Sequence, residues 1–285
     1  MDTQTIVDVE TLRGRLPELR DSYRRAVPYP SITIDDLIQP DVLRAAIDEF
    51  PPVDGGSWTT WVHVNERKYG NVNIDTWGPS LQAIGRALMS PDFLSCLSAM
   101  TGIDNLLPDE SMDGGGLHQS GRGGFLNVHA DFTSHHTHKN WRRRINLLLY
   151  FNEGWNPEWG GELELWDPEM RSCRGKVAPI ANRAFIFNTT EDAFHGHPDP
   201  MTCPPDRARR SMALYYFTEE AAPLTRSTNY QPRPTDGAAK SALIHLDKGV
   251  LKGYDVVKRR LGLSDEKVSK ALGTVDRLRQ RNRKR

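Results

Sequence analysis

A succession of short apolar runs between Leu117 and Thr218 constrains the fold of this chain more than any other feature. The runs are five to seven residues long and are separated by Gly, Pro and Asn; they cover 125–131, 145–151, 162–166, 184–188 and 211–217. Runs of this length predict strands. Many short strands without intervening helices are typical of a sandwich or a jelly roll. We therefore expect a mainly β core.

The segments on either side of this region carry helical patterns. Leucines at helical spacing predict a surface helix over residues 7–25, and further one-face patterns predict helices after Pro40 and over 80–100, the latter split at Pro91. Together these patterns predict an α+β chain with flanking helices. We expect an N-terminal helix in 1–27, a helical and strand support region in 28–110, the β core in 111–220, and a linker with a basic helical tail in 221–285.

Composition indicates an ordinary globular protein. Apolar residues make up 38% of the chain and charged residues 26%. No stretch approaches the roughly 20 apolar residues that cross a bilayer, and the first residues do not resemble a secretion signal. Three widely spaced cysteines, Cys96, Cys173 and Cys203, argue against a disulfide framework. We expect a cytoplasmic protein without membrane contact.

Charge is unevenly distributed, although the formal net charge is zero. From Lys240 onwards there are 14 Lys and Arg against 5 Asp and Glu, which leaves 37 − 14 = 23 against 37 − 5 = 32 in the rest. Such a tail suits an anionic partner or packing on an acidic body. Tyr254 is its one aromatic residue. Because stacking side chains are otherwise missing, we expect no nucleic-acid partner, and the helical regions offer a surface for a homodimer.

A metal site is indicated by His129 and Asp131. Side chains at positions i and i+2 of a strand project from the same face, so both can reach one ion. A third ligand has to come from a distant segment, and His195 and His197 follow the apolar run 184–188. Phe194 and Gly196 on either side favour His195, with His197 as the alternative. Two imidazoles and one carboxylate suit iron(II).

A binding site for a carboxylate is indicated on a later strand. Arg209 and Ser211 share one face, and a guanidinium with a neighbouring hydroxyl can hold a carboxylate. The alternative for Arg209 is an ordinary ion pair with an Asp or Glu. Tyr150 and Asn146 alternate on another strand and could share this binding, although a core position is the alternative for Tyr150. Gln119 is a further candidate.

Read in order, these residues resemble the prolyl 4-hydroxylase-like group of 2-oxoglutarate/Fe(II)-dependent oxygenases. The resemblance covers about residues 101–218, and its motifs are Gly114 to Gln119, Leu126 to Phe132, Arg144 to Asn152, Gly160 to Leu163, Phe194 to Pro198 and Arg209 to Ser211.

The resemblance implies a double-stranded β-helix core, of the jelly-roll or cupin-like type. It implies iron bound by His129, Asp131 and His195, and 2-oxoglutarate held at Arg209 and Ser211 with help from Tyr150. Fe(II), 2-oxoglutarate and O2 are the implied cofactor and co-substrates. Because related halogenases replace the carboxylate that Asp131 retains here, hydroxylation is the implied reaction.

The expected activity is a dioxygenase that hydroxylates a peptidyl, amino-acid-like or other small-molecule substrate and releases succinate and CO2. Two alternatives stay open on the residues themselves. One is a cupin-like metalloenzyme, such as an isomerase or hydrolase, that does not use O2. The other is a non-catalytic binding protein on the same scaffold.

Overall fold

The computed structural model describes residues 6–53, 58–224 and 228–245. Among the described residues up to 101 there are five α-helices. They are α1 (Val9–Gly14), α2 (Leu16–Arg25), α3 (Pro40–Asp48), α4 (Pro79–Leu88) and α5 (Pro91–Thr101). Within the described ranges, no helix combines the length and the apolar composition needed to cross a bilayer.

Thirteen strands form one hydrogen-bonded sheet in the part of the chain that the structure describes. They are β1 (Ser31–Ile34), β2 (Thr59–Val62), β3 (Glu66–Asn71), β4 (Leu107–Pro108), β5 (Gly116–Ser120), β6 (Phe125–Ala130), β7 (Trp141–Tyr150), β8 (Leu163–Trp166), β9 (Cys173–Val177), β10 (Ala184–Asn188), β11 (His195–His197), β12 (Arg209–Glu219) and β13 (Asn229–Tyr230).

The strand order shows how the sheet closes on itself. Ten strands follow the path β1-β10-β7-β12-β5-β3-β6-β11-β8-β9, and each pairing along this path is antiparallel. Phe187 on β10 and His195 on β11 lie far apart on this path, yet their ring centroids are 4.7 Å apart. The sheet therefore curls until its two halves face each other. This architecture confirms the expected mainly β fold with a double-stranded β-helix core.

Alternation along the strands separates two cores. In β10, Phe185 and Phe187 belong to the cluster between the two halves of the sheet, whereas Ala184 and Ile186 belong to the cluster that includes the helices. Side chains of a strand point alternately to opposite faces, so both faces of β10 are buried. The helices thus cover the outer face of one half and leave its inner face for the cavity.

The sequence around α5 shows why the helices begin and end where they do. The Ser90 hydroxyl accepts a hydrogen bond from the Phe93 amide, and Pro91 occupies the first turn, where no amide donor is needed. Gly102 ends the helix with a φ of 73°, in the left-handed region.

The N-terminal helix differs from its expected extent. Instead of one helix over residues 7–25, α1 and α2 are separated at Arg15, which has a φ of −100° and a ψ of 1°. Pro17 lies in the first turn of α2. Because proline has no amide hydrogen, it cannot continue the bonding pattern of α1 and instead suits a new helix start.

Two other segments also differ from expectation. No apolar run predicts a strand at residues 66–71, yet these residues form β3, which pairs with β2, β5 and β6. Residues 221–234, expected as a linker, include β13, in which Tyr230 pairs with His129. Residues 238–245 are helical. The rest of the expected basic tail, from residue 246, lies outside the described residues.

Candidate metal and carboxylate site

Three side chains with metal-ligating atoms converge where β6 ends and β11 begins. His129 lies in β6, Asp131 directly follows it, and His195 opens β11. One ligand atom from each lies within 4.8 Å of the others. Asp131 Oδ1 is 3.5 Å from His129 Nε2, and Asp131 Oδ2 is 3.3 Å from His195 Nε2. Two imidazoles and a carboxylate form the donor set of non-haem iron(II) sites with open positions.

The orientation of both imidazoles suits metal binding. Nδ1 of His129 lies 2.9 Å from the Asn127 carbonyl oxygen, and Nδ1 of His195 lies 2.9 Å from that of Ala193. A carbonyl only accepts hydrogen bonds, so each Nδ1 carries the proton and each Nε2 presents a lone pair. Burial lowers the pKa of His129, which favours the neutral ring that binds a metal. The residues present therefore fit a divalent ion.

Asp131 is held by two neighbours. The Asn146 amide donates to Asp131 Oδ2 at 2.6 Å, and Arg143 Nη2 lies 3.3 Å from the same oxygen. Arg143 Nε in turn donates to Asn146 Oδ1 at 2.6 Å. Burial alone would raise the pKa of Asp131, but Arg143 and His195 outweigh it and hold that pKa well below its usual range. The carboxylate is thus kept ionised and oriented.

Arg143 was not among the expected site residues. Its side chain is fully buried, and its Cζ lies 3.3 Å from the centroid of the Tyr215 ring and 4.6 Å from that of Phe132. A cation over an aromatic ring is stabilised by the electron-rich face. The rings therefore help to keep this guanidinium beside Asp131 without exposing it to water.

The structure separates the two late histidines. His195 pairs with His129 across the ladder between β6 and β11, whereas His197 pairs with Leu126. Within the described residues, the group that could hold a metal contains His195 and not His197. Gly196 lies between them, and a Cβ there would be 2.8 Å from the Leu126 carbonyl oxygen. Only glycine permits this approach of the two strands.

Arg209 is a buried cation without an acidic partner among the described residues. Its side chain donates through Nε to the Gly161 carbonyl at 2.7 Å and through Nη2 to the Tyr150 hydroxyl at 3.1 Å. Burial lowers the pKa of Arg209, and Tyr150 partly opposes this. Arginine nevertheless stays charged in proteins. A buried, unpaired guanidinium is costly unless an anion binds there.

The other expected residues lie on the same cavity or in its wall. Ser211 pairs with Tyr150 between β12 and β7, so both face the same side of the sheet. Asn146 contacts Asp131 through its amide, and the Gln119 amide donates to the Pro51 carbonyl at 3.0 Å. The structure thus gives Asn146 and Gln119 protein partners, whereas Ser211 is beside Arg209.

One cavity of about 600 Å³, part of it open to solvent, joins the metal-ligating group to Arg209. Leu126, Leu148 and Leu163 contribute apolar wall. Lys68 and His118, which were not expected at the site, also line this cavity. Lys68 Nζ is 2.9 Å from Glu66 Oε2, and burial lowers the pKa of His118 to about 3.

Comparison with known proteins agrees with this geometry. Residues 115–217 match the model of a family described as the 2OG-Fe(II) oxygenase superfamily, and this range contains His129, Asp131, His195 and Arg209. A search of curated proteins gave no match by sequence.

Three solved structures are similar in fold. A Pseudomonas putida prolyl-4-hydroxylase has a TM-score of 0.50 at 17% identity, over 72% of this chain and 100% of the other. A Trichoplax adhaerens prolyl hydroxylase, solved with a hypoxia inducible factor peptide fragment, has a TM-score of 0.53 at 17% identity, over 74% and 92%. A Phytophthora capsici prolyl 4-hydroxylase has a TM-score of 0.52 at 22% identity, over 75% and 66%.

At these identities the structural similarity establishes the fold alone. The range that the family model matches contains the metal-ligating group, and the donor set of that group agrees with the family. Fe(II), 2-oxoglutarate and O2 are the cofactor and co-substrates that go with this family. Residues 115–217 of this 285-residue chain thus match the 2OG-Fe(II) oxygenase superfamily.

Proposed function

We propose that this enzyme couples the conversion of 2-oxoglutarate to succinate and CO2 with hydroxylation of a peptide or small-molecule substrate. The observation that carries the proposal is Arg209, a buried guanidinium that faces the same cavity as His129, Asp131 and His195 and has no acidic partner among the described residues. A diacid that binds a metal at one end can neutralise such a cation at the other.

Each side chain has a distinct part in this proposal. His129, Asp131 and His195 would hold the iron through Nε2, a carboxylate oxygen and Nε2. Arg209 would bind the far carboxylate of 2-oxoglutarate. Because the Tyr150 hydroxyl oxygen accepts from Arg209, its own proton is free to be donated to the same carboxylate. Ser211 offers a further hydroxyl on that face.

When bound, iron, 2-oxoglutarate and O2 supply the oxidising chemistry. The chain contributes orientation and a partly dry cavity. Leu126, Leu148 and Leu163 limit water around the co-substrate. Arg143 and Asn146 hold Asp131 next to the two imidazoles. Because related halogenases replace this carboxylate, its presence favours hydroxylation over halogenation.

The proposal includes the substrate class and the setting of the reaction. The Trichoplax adhaerens enzyme was solved with a peptide fragment, which supports a peptide as one class of substrate; a small molecule is the other. Cys96, Cys173 and Cys203 are unpaired, which supports a cytoplasmic location. The proposal also includes a homodimer that forms through the helical regions. Its mass in solution, measured by sedimentation, would test this.

The experiment is a succinate assay on the full chain reconstituted with Fe(II). Succinate should form from 2-oxoglutarate only when both iron and O2 are present. His129→Ala should abolish it, while the exposed His136→Ala should retain it. Succinate formation that persists after chelation of the metal would refute the proposed function.

A further inference from the structure

His197 is a buried histidine without a hydrogen-bond partner among the described residues. Three other buried histidines, His129, His135 and His195, each bond to backbone or side-chain groups. His197 is only 4% exposed, and its Nδ1 is buried and unpaired. Burying a polar group without a partner is unfavourable, so such a group in a native protein requires an explanation.

The position of His197 indicates what would satisfy it. It lies two residues beyond His195 on β11, about 6.7 Å along the strand. The ladder between β11 and β8, continued by one step, brings Leu163 beside it, and Gly161, which binds Arg209 Nε, lies two residues before Leu163. His197 therefore stands at the Arg209 end of the cavity rather than at the metal end.

The unpaired Nδ1 determines which ring atom can act as a donor. A proton on Nδ1 would make this atom a buried donor without an acceptor among the described residues, whereas a proton on Nε2 can meet a ligand. The neutral ring of His197 therefore carries its proton on Nε2, and the cation carries one there as well. Nε2 is the atom left to meet a ligand in the cavity, which His197 lines.

Lys68 is less suited to this task, although it lines the same cavity. Its ammonium group lies 2.9 Å from Glu66 Oε2, so its charge has a partner within the protein. Arg209 lacks an acidic partner and His197 lacks any partner among the described residues. A carboxylate has about four acceptor positions, so it can accept hydrogen bonds from Arg209 and His197 at the same time.

We propose that His197 is a second binding residue for the far carboxylate of the 2-oxo acid, donating from Nε2 opposite Arg209. This inference rests on the proposed function, because it assumes that 2-oxoglutarate occupies the cavity. It makes His197 a specificity residue that favours a dicarboxylic 2-oxo acid over a monocarboxylic one.

Calorimetric titration of the anaerobic Fe(II)-loaded protein tests this. The probes are 2-oxoglutarate and 2-oxopentanoate, which has the same carbon chain but lacks the far carboxylate. His197→Leu should weaken 2-oxoglutarate binding about 10- to 100-fold, as expected for a hydrogen bond to a charged group. Binding of 2-oxopentanoate should change less than about twofold, because that probe has no carboxylate to lose the contact. His197→Gln, which keeps a donor, should recover most of the 2-oxoglutarate affinity.

Three results would overturn the inference. Equal weakening of both acids would indicate a packing role, unchanged binding of 2-oxoglutarate would exclude the contact, and loss of Fe(II) binding in both variants would make His197 a metal ligand. If the unmodified Fe(II)-loaded protein binds no 2-oxoglutarate, the proposed function itself fails.

Discussion

His195 lies directly opposite His129 in the antiparallel ladder between β6 and β11, and their ring centroids are 4.6 Å apart. Directly paired residues of an antiparallel sheet project from the same face. Asp131, two residues after His129, is therefore brought to both rings. The register of two strands thus assembles the metal-ligating group from distant parts of the chain.

Loss of the guanidinium behind Asp131 should weaken metal binding. Arg143→Met removes the charge 3.3 Å from Asp131 Oδ2 and the donor to Asn146. We expect Fe(II) affinity to fall about 10- to 100-fold, the usual effect of losing a residue that orients a ligand. Anaerobic Fe(II) titration measures it. Arg144→Met is the matched control, and an equal loss in that variant would contradict the assigned role.

Removal of the buried cation should affect the co-substrate. Arg209→Leu should weaken 2-oxoglutarate binding at least about 30-fold, because a buried, hydrogen-bonded charge contact is lost. Arg210→Leu should have little effect, since Arg210 lies on the opposite face of β12 and over the Phe50 ring. Titration of the Fe(II)-loaded variants with 2-oxoglutarate gives both affinities. Similar losses of affinity in Arg209→Leu and Arg210→Leu would argue against a specific site at Arg209.

Alanine substitutions of two adjacent glycines distinguish backbone strain from an effect on Arg209. Gly160 and Gly161 have φ values of 72° and 80°, so alanine strains the backbone at either position. A Cβ on Gly161 would lie 2.6 Å from Met201 Sδ and 3.2 Å from Arg209 Cδ, whereas one on Gly160 meets nothing within 4 Å. Both variants should lose about 1–2 kcal/mol of stability.

Only Gly161→Ala should also raise the KM for 2-oxoglutarate several-fold, because it displaces Arg209. Thermal unfolding and succinate kinetics separate the two effects. A KM that rises equally in Gly160→Ala would mean that backbone strain, and not contact with Arg209, is responsible.

Glu66 should make stability depend on pH. Burial alone would raise the pKa of Glu66, but Lys68 and His63 outweigh it and lower that pKa. The contribution of the ionised carboxylate to stability is therefore present above the unfolded-state pKa of about 4.3 and is lost as pH falls below it. Glu66→Gln should cost about 3 kcal/mol at pH 7.

Urea unfolding of the metal-free proteins between pH 7 and pH 3 measures this difference. The gap in the free energy of unfolding between Glu66→Gln and the unmodified protein should narrow below about pH 4.3. A gap that stays constant with pH would show that Glu66 does not act through its charge.

The parts of the site that follow strand alternation could be predicted from the sequence. His129 and Asp131 share a face because they are two residues apart, and the same rule places Arg209 with Ser211. The choice between His195 and His197 could not be made in this way, because they too are two residues apart. It depends on the pairing of β11 with β6, a contact between distant segments.

Irregularities in the strands explain what the sequence did not reveal. Alternation from Asn146 would place Arg144, and not Arg143, on the inner face of β7. The register with β12 shifts between Tyr216 and Phe217, and Phe217 pairs with Arg143. A β-bulge of this kind reverses the faces beyond it and has no clear signal in one sequence.

The charged residues of β3 explain why the sequence does not predict this strand. Glu66 and Lys68 gave β3 the composition of a surface loop, yet both side chains are largely buried and pair with each other. The burial of an apolar strand can be predicted from its residue types. The burial of Glu66 and Lys68 depends instead on their ion pair with each other and on the cavity that Lys68 lines.

Anaerobic titration with Fe(II) of the unmodified protein, His195→Ala and His197→Leu tests the central claim most directly. The account predicts one Fe(II) bound per unmodified chain and an affinity within about threefold for His197→Leu. His195→Ala should bind Fe(II) at least about 100-fold more weakly, because a ligand itself is removed. Loss of a residue that only orients a ligand already weakens binding about 10- to 100-fold. Tight Fe(II) binding by His195→Ala, with loss in His197→Leu, would contradict the account.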